Sequence, residues 1–85
     1  MPFMYSLVKV SDLSELGNAL AENDIEALNQ IRDYRSKNGK ADLRFELSDD
    51  PADYFMEKRT AIPSPHGPGW TNDTRGMKQL VYVRV

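Results

Sequence analysis

The chain has no cysteine and only one histidine among its 85 residues. Without cysteine it forms no disulfide, supplies no thiolate nucleophile and binds no zinc through sulfur. A single histidine also provides few of the ligands that a transition-metal site needs. No apolar stretch approaches the ~20 residues that a membrane-spanning helix needs. These absences argue against disulfide-rich, thiol-dependent and membrane-spanning proteins, and we expect a cytoplasmic protein without a bound cofactor.

Net charge and the amino-terminal segment argue against further classes. The formal net charge is −2, whereas a strongly electrostatic nucleic-acid binder is usually basic overall. The apolar run within residues 1–10 is too short for a signal peptide and lacks the basic start and the small-residue cleavage site. A chain of this length buries roughly 60–65% of its unfolded surface. We therefore expect one small domain over residues 1–85.

Residues 23–39 are the best-specified stretch, because they mark both ends of a helix. Asn23 is a capping residue with Glu26 three positions later, and together they can satisfy free backbone N–H groups. Asn38 and Gly39 provide the left-handed stop of a helix. Between these ends, apolar residues recur at helical spacing, at Ile25, Leu28 and Ile31. The pattern predicts a helix between the two caps.

Arg35 interrupts the apolar stripe of this helix. At ~100° per residue it falls between Leu28 and Ile31 on the helical wheel. We interpret Arg35 as a side chain whose stem packs on the edge of the core while the guanidinium reaches water. The alternative is a buried or interface ion pair.

Strands and shorter helices are predicted on both sides of this helix. Apolar alternation predicts strands at residues 3–10, 41–47 and 77–85. Capping residues predict a second helix from Ser11 or Asp12 to a break at residues 22–24, and a third helix at about residues 50–58. Both faces of the first strand are apolar, which indicates that it is covered on both sides or that a partner uses one face.

These elements predict an α+β fold in the order β-α-α-β-α-β. We expect a small three-stranded sheet, mixed or antiparallel, with two to three helices packed on one face. The last strand is apolar on both faces, so we place it in the middle of the sheet, beside the first strand. Residues 59–76 are rich in proline and glycine and are expected to form a long loop within the domain.

No catalytic constellation is visible in the sequence. His66 has no nucleophile or orienting partner at a suitable spacing, and there is no G-x-S-x-G turn. Asp49, Asp50 and Asp53 lack the glycine and the terminal glutamate of an EF-hand loop, and helix capping explains them. A Walker A loop and a dinucleotide fingerprint are also missing. We expect no enzymatic activity and no bound metal.

Two charged groups and one tryptophan are the candidate binding elements. The acidic residues Glu22, Asp24 and Glu26 can dock on a basic protein surface. Alternatively, they are present because the helix dipole favours carboxylates near a helix N-terminus. Trp70 is either an interface anchor or a cap on the core. The basic cluster can bind nucleic acid. Alternatively, its charges only complement the C-terminal end of a helix and lie on a solvated strand face. It comprises Arg32, Arg35, Lys37, Lys40 and Arg44.

The leading hypothesis is a small non-enzymatic protein that occupies a surface of a larger protein, as an accessory factor or an inhibitor. Short chains without chemistry of their own are common among phage and mobile-element products. One alternative is nucleic-acid binding through the basic cluster. Another is a homo-oligomeric structural subunit in which residues 3–10 or 77–85 pair across a symmetry axis. The residues expected to contact a protein partner are Trp70, Arg59, His66, Tyr54, Glu22, Asp24 and Glu26.

Overall fold

A computed structural model describes residues 2–40, 44–73 and 75–85. The elements in chain order are β1 (Phe3–Lys9), β2 (Glu15–Ala21), α1 (Asp24–Lys37), β3 (Glu46–Leu47), β4 (Tyr54–Pro63), β5 (Trp70–Asn72) and β6 (Gln79–Arg84). The strands form one curled, half-barrel antiparallel sheet in the order β2-β1-β4-β6-β3. β5 pairs with the far end of β4, beyond the residues that pair with β6.

The predicted three-stranded sheet with two to three helices is wrong, since the described residues form six strands and one helix. β2 occupies the segment predicted as the second helix, and β4 begins inside the segment predicted as the third. The predicted loop at residues 59–76 contains the end of β4 and all of β5. β6 lies between β4 and β3, so it is not beside β1.

The predicted strand at residues 41–47 is found only in part. The structure has a two-residue strand, β3, which pairs with the end of β6. Residues 41–43 lie outside the described ranges. The predicted strands at residues 3–10 and 77–85 are confirmed as β1 and β6, with slightly shorter bounds.

The helix prediction is confirmed together with both of its caps. The Asn23 side chain accepts a hydrogen bond of 2.9 Å from the backbone N–H of Glu26. Asn38 is the C-terminal cap, and Gly39 follows it with φ +74°, the left-handed conformation that favours glycine. Ile25, which the stripe placed in the core, is 65% exposed. The buried face comprises Ala27, Leu28, Ile31 and Arg35.

The core lies between α1 and the face of the sheet that the helix covers. Small residues alternate along β2 where it faces the helix, and Gly17 and Ala19 pair with Leu7 and Tyr5 of β1. This alternation lets α1 approach β2 closely, because glycine and alanine fill little of the space between strand and helix. The largest fully buried side chains are Tyr5, Leu7, Ile31, Phe45, Met56 and Val83.

Replacing Gly17 with alanine is expected to lower the free energy of unfolding by about 1–3 kcal/mol. A Cβ atom at position 17 would lie 3.0 Å from Cγ2 of Ile31, a fully buried and branched side chain. Chemical denaturation followed by circular dichroism measures the change. Asn18→Ala, at the exposed neighbouring position, is the control and should change stability by less than ~0.5 kcal/mol. Equal midpoints for Gly17→Ala and the wild type would contradict the close approach.

Candidate functional site

The sheet has a second face, on the side away from α1. Tyr5, Leu7 and Met56 belong to the core under the helix, so the side chains between them in β1 and β4 point the opposite way. Helix α1, the one helix in the described ranges, does not cover this side. The strand register places six apolar side chains there, which we call the open face: Met4, Val8, Leu20, Phe55, Leu80 and Tyr82.

Cross-strand pairing arranges the open face in rows. A middle row contains Ser6, Glu57 and Leu80, and Nζ of Lys78 lies 3.5 Å from a Glu57 carboxylate oxygen. Apolar side chains form most of the rows on either side. These two rows are Leu20, Met4 and Arg59, and Val8, Phe55 and Tyr82.

Val8 is 8% exposed, but the other apolar side chains of the open face are only partly covered. Leu80 is 50% exposed and Leu20 is 37% exposed. Met4, Phe55 and Tyr82 are half-buried by their neighbours. An antiparallel sheet that faces water on one side usually carries polar residues there. Two rows of apolar side chains, separated by Ser6 and Glu57, are the feature of this face that favours contact with another molecule.

Trp70 and Arg59, two of the residues expected to contact a partner, lie toward the hairpin end of this face. Trp70 of β5 pairs with Pro63 of β4. Pro63 and Arg59 are four positions apart in one strand, so strand alternation puts all three side chains on the same side of the sheet. Trp70 is 43% exposed and lies outside the core cluster, so it does not cap the core under α1. Arg59 makes no side-chain hydrogen bond or ion pair with the residues that the structure describes.

His66 lies at the tip of the same hairpin. The backbone N–H of Ser64 donates 3.0 Å to the carbonyl of Gly69, which closes the tip. The backbone N–H of His66 lies 3.4 Å from Oγ of Ser64, and the imidazole is exposed. Gly67 and Gly69 have φ +155° and +107°, conformations that favour glycine. The structure therefore places His66 on a projecting turn beyond Trp70.

The other predicted partner-binding residues lie elsewhere. Tyr54 is 9% exposed, and its ring packs edge-on against Phe45 with 5.1 Å between centroids. It is part of the core, so we leave it out of the candidate surface. Glu22, Asp24 and Glu26 lie at and just before the start of α1, on the helix side of the sheet. The predicted set is therefore divided between two sides of the molecule and the core.

Asp24 is the centre of a polar cluster at the start of α1. The Tyr5 hydroxyl donates 2.7 Å to Oδ1 of Asp24, and Nζ of Lys58 donates 2.9 Å to the same oxygen. Lys58 also lies 4.3 Å from the centre of the Phe3 ring. Burial raises the pKa of Asp24, but the hydrogen bonds from Tyr5 and Lys58 and the charge of Lys58 outweigh it, so the pKa is lowered. Burial, with the hydrogen bond to Asp24, raises the pKa of Tyr5.

Replacing Asp24 with asparagine is expected to lower the free energy of unfolding by about 1–2 kcal/mol at pH 7, because a partly exposed charge-assisted pair with Lys58 is lost. The lowered pKa fixes the pH dependence. The stabilisation is present above the unfolded-state pKa of about 3.9 and is lost as the pH falls through the folded-state pKa. The difference between wild type and variant should therefore disappear in acid. A difference that is the same at pH 7 and in acid would contradict the ionised pair.

A concave basic site lies on the helix side of the molecule. Residues of the C-terminal half of α1, Lys40 and the segment at residues 44–46 line a cleft of about 470 Å³, which we call the basic cleft. Four of the five residues in the predicted basic cluster line it, whereas Lys37 does not. The lining residues are Arg32, Asp33, Arg35, Ser36, Lys40, Arg44, Phe45 and Glu46.

Arg35 lies at the inner wall of the basic cleft and is 9% exposed. The expectation that its guanidinium reaches water is therefore wrong. One guanidinium nitrogen, Nη1, donates a hydrogen bond of 3.2 Å to the carbonyl of Leu16 in the edge strand β2. The guanidinium carbon lies 5.7 Å from the centre of the Phe45 ring. Arg35 thus connects α1, β2 and the segment before β3 at one point.

Comparison with known proteins gives no functional information, since no family model, curated protein or solved structure matches the chain. Among the described residues, no helix is long and apolar enough to cross a membrane. Nor do these residues contain a group of three or more acidic, histidine or cysteine side chains that could hold a metal ion. The expected lack of enzymatic activity stays a prediction.

Sequence reasoning missed most of the open face. Its residues come from four strands, two of which were predicted as helices, so their alignment depends on register. One signal was present, because apolar residues on both faces of β1 indicated either full coverage or a face used by a partner. Arg84 was also missed, although its guanidinium lies 2.5 Å from Oε2 of Glu46 at the edge of the basic cleft.

Proposed function

We propose that this protein is a non-enzymatic binding protein that docks on a larger protein through its open face and the adjoining β4–β5 hairpin. The observation that carries the proposal is the apolar open face, which α1 leaves uncovered. Two residue types that dominate binding energy at interfaces, tryptophan and arginine, lie on the same side as this face. By occupying a partner's surface, such a protein acts as an accessory factor or an inhibitor.

The chemistry of the face indicates the kind of surface that fits it. Arg59 pairs with Met4, which pairs with Leu20, so its charge lies beside apolar side chains. Burying this guanidinium against a purely apolar partner would cost several kcal/mol, because the charge would lose water without gaining a counter-ion. The matching surface is therefore apolar and carries a carboxylate opposite Arg59.

The test is capture from nuclease-treated host lysate with three purified baits: the wild type, Arg59→Glu and Lys37→Glu. Lys37 is exposed in the last turn of α1, so Lys37→Glu controls for charge reversal on the helix side. The proposal expects one stoichiometric protein that the wild type and Lys37→Glu retain and that Arg59→Glu loses. Retention by Arg59→Glu, or the absence of any specific protein, would contradict it.

A second copy of this chain is the competing occupant of the open face. β1 has neighbours on both sides, so it offers no free edge for pairing across a symmetry axis. β6 pairs with β4 along most of its length and with β3 only at Val83 and Arg84. Light scattering at micromolar concentration separates the two occupants. A monomeric protein is expected if the occupant of the open face is a different protein. A dimer that the Arg59→Glu substitution dissociates would show that the occupant is a second copy of this chain.

A further inference from the structure

Three cationic side chains at the basic cleft form no ion pair with a carboxylate in the described ranges. Arg32, Lys40 and Arg44 are exposed, and their side chains make no hydrogen bond or ion pair with described residues. The lining residues include four cations and two carboxylates, Asp33 and Glu46, and Glu46 is held by Arg84. In a chain of net charge −2, this grouping makes a local region of positive potential.

The inner wall of the basic cleft is preorganised. Arg35 is fixed by its hydrogen bond to the Leu16 carbonyl and by its contact with the buried Phe45 ring. Its positive charge therefore has a fixed position in the wall of the cleft. The three outer cations are exposed side chains of α1 and of the residues that follow it. The site therefore combines one buried positive charge with three exposed cations.

We propose that the basic cleft binds the phosphate groups of nucleotides, either free or within a single strand. Guanidinium groups bind phosphate oxygens through paired hydrogen bonds, and lysine adds a point charge. The cleft volume of about 470 Å³ lies within the range of small-ligand sites, roughly 300–1,000 Å³. The basic cleft lies on the helix side, opposite the open face, so this site and the proposed protein docking can fail independently.

Fluorescence anisotropy with a labelled oligothymidylate of about 15 nucleotides tests the site directly. We expect binding at about 50 mM salt that weakens roughly 20-fold at about 200 mM, because three neutralised phosphates give a logarithmic salt slope near 2 for a single strand. The double variant Arg32→Ala/Arg44→Ala should weaken binding at least tenfold. Lys37→Ala is the matched control on the same helix, since Lys37 does not line the cleft, and it should bind like the wild type.

Competition identifies the source of the phosphate. Displacement by adenosine monophosphate would assign the site to a single nucleotide, whereas displacement only by unlabelled strand would assign it to nucleic acid. No binding of the oligonucleotide or of adenosine monophosphate at low salt would overturn the proposal. Equal affinity of the double variant and the wild type would also overturn the proposal, provided that matching circular dichroism spectra show the variant to be folded.

Discussion

Replacing Phe45 with alanine is expected to lower the free energy of unfolding by about 3–5 kcal/mol. Phe45 is 1% exposed, packs against the Tyr54 ring and lies beneath the guanidinium of Arg35. Its removal leaves a cavity where α1, β4 and the segment before β3 meet. Such a loss is a large part of the stability of a domain of this size, and the melting temperature should fall by more than ~12 °C.

Urea denaturation followed by circular dichroism measures this effect. Phe45→Leu keeps most of the volume and should cost clearly less than Phe45→Ala. Met77→Ala is the surface control, because Met77 is 84% exposed, and it should change stability by less than ~0.5 kcal/mol. If Phe45→Ala unfolds at the wild-type midpoint, the assignment of this ring to the core is wrong.

Replacing Trp70 with alanine is expected to weaken binding to the captured protein partner by more than ~2 kcal/mol, about 30-fold in Kd. Trp70 lies on the same side as Arg59 and is 43% exposed, so its truncation removes contact area without opening the core. The variant should keep the wild-type melting temperature within a few degrees. Isothermal titration calorimetry with the purified partner measures the change.

Tyr34→Ala is the matched aromatic control for Trp70→Ala. Tyr34 is 65% exposed on α1, on the other side of the sheet, so its removal should leave the affinity unchanged. Unchanged affinity of a folded Trp70→Ala variant would remove Trp70 from the interface. A loss of affinity in Tyr34→Ala with none in Trp70→Ala would move the binding surface to the helix side.

Local signals were enough to predict α1 and most of the basic cleft. The caps of α1 are side-chain contacts over three or four residues, so Asn23, Asn38 and Gly39 identify them without knowledge of the fold. The basic cleft follows from helical geometry as well, because Arg32 and Arg35 are three residues apart on one helix. What the pattern did not provide was the depth of Arg35, which depends on Leu16 and Phe45 from other elements.

Strand β2 and the first half of β4 were predicted as helices, for two different physical reasons. In β2, the residues that face the helix are small, so Gly17, Ala19 and Ala21 give no strong apolar alternation. In β4, Pro51 and its neighbouring aspartates have the composition of a helix start. Both faces of β4 carry apolar residues as well, which hides the period of two. The open face, built on the register of these strands, was therefore beyond local reasoning.

Site-directed thiol labelling tests the docking face most directly, because the chain has no cysteine of its own. Two variants are compared, Leu80→Cys on the open face and Ile25→Cys on α1, at positions that are 50% and 65% exposed. Binding of the captured partner is predicted to slow labelling of the Leu80→Cys thiol and to leave the Ile25→Cys thiol unchanged. Slowed labelling of Ile25→Cys with unchanged labelling of Leu80→Cys would contradict docking through the open face.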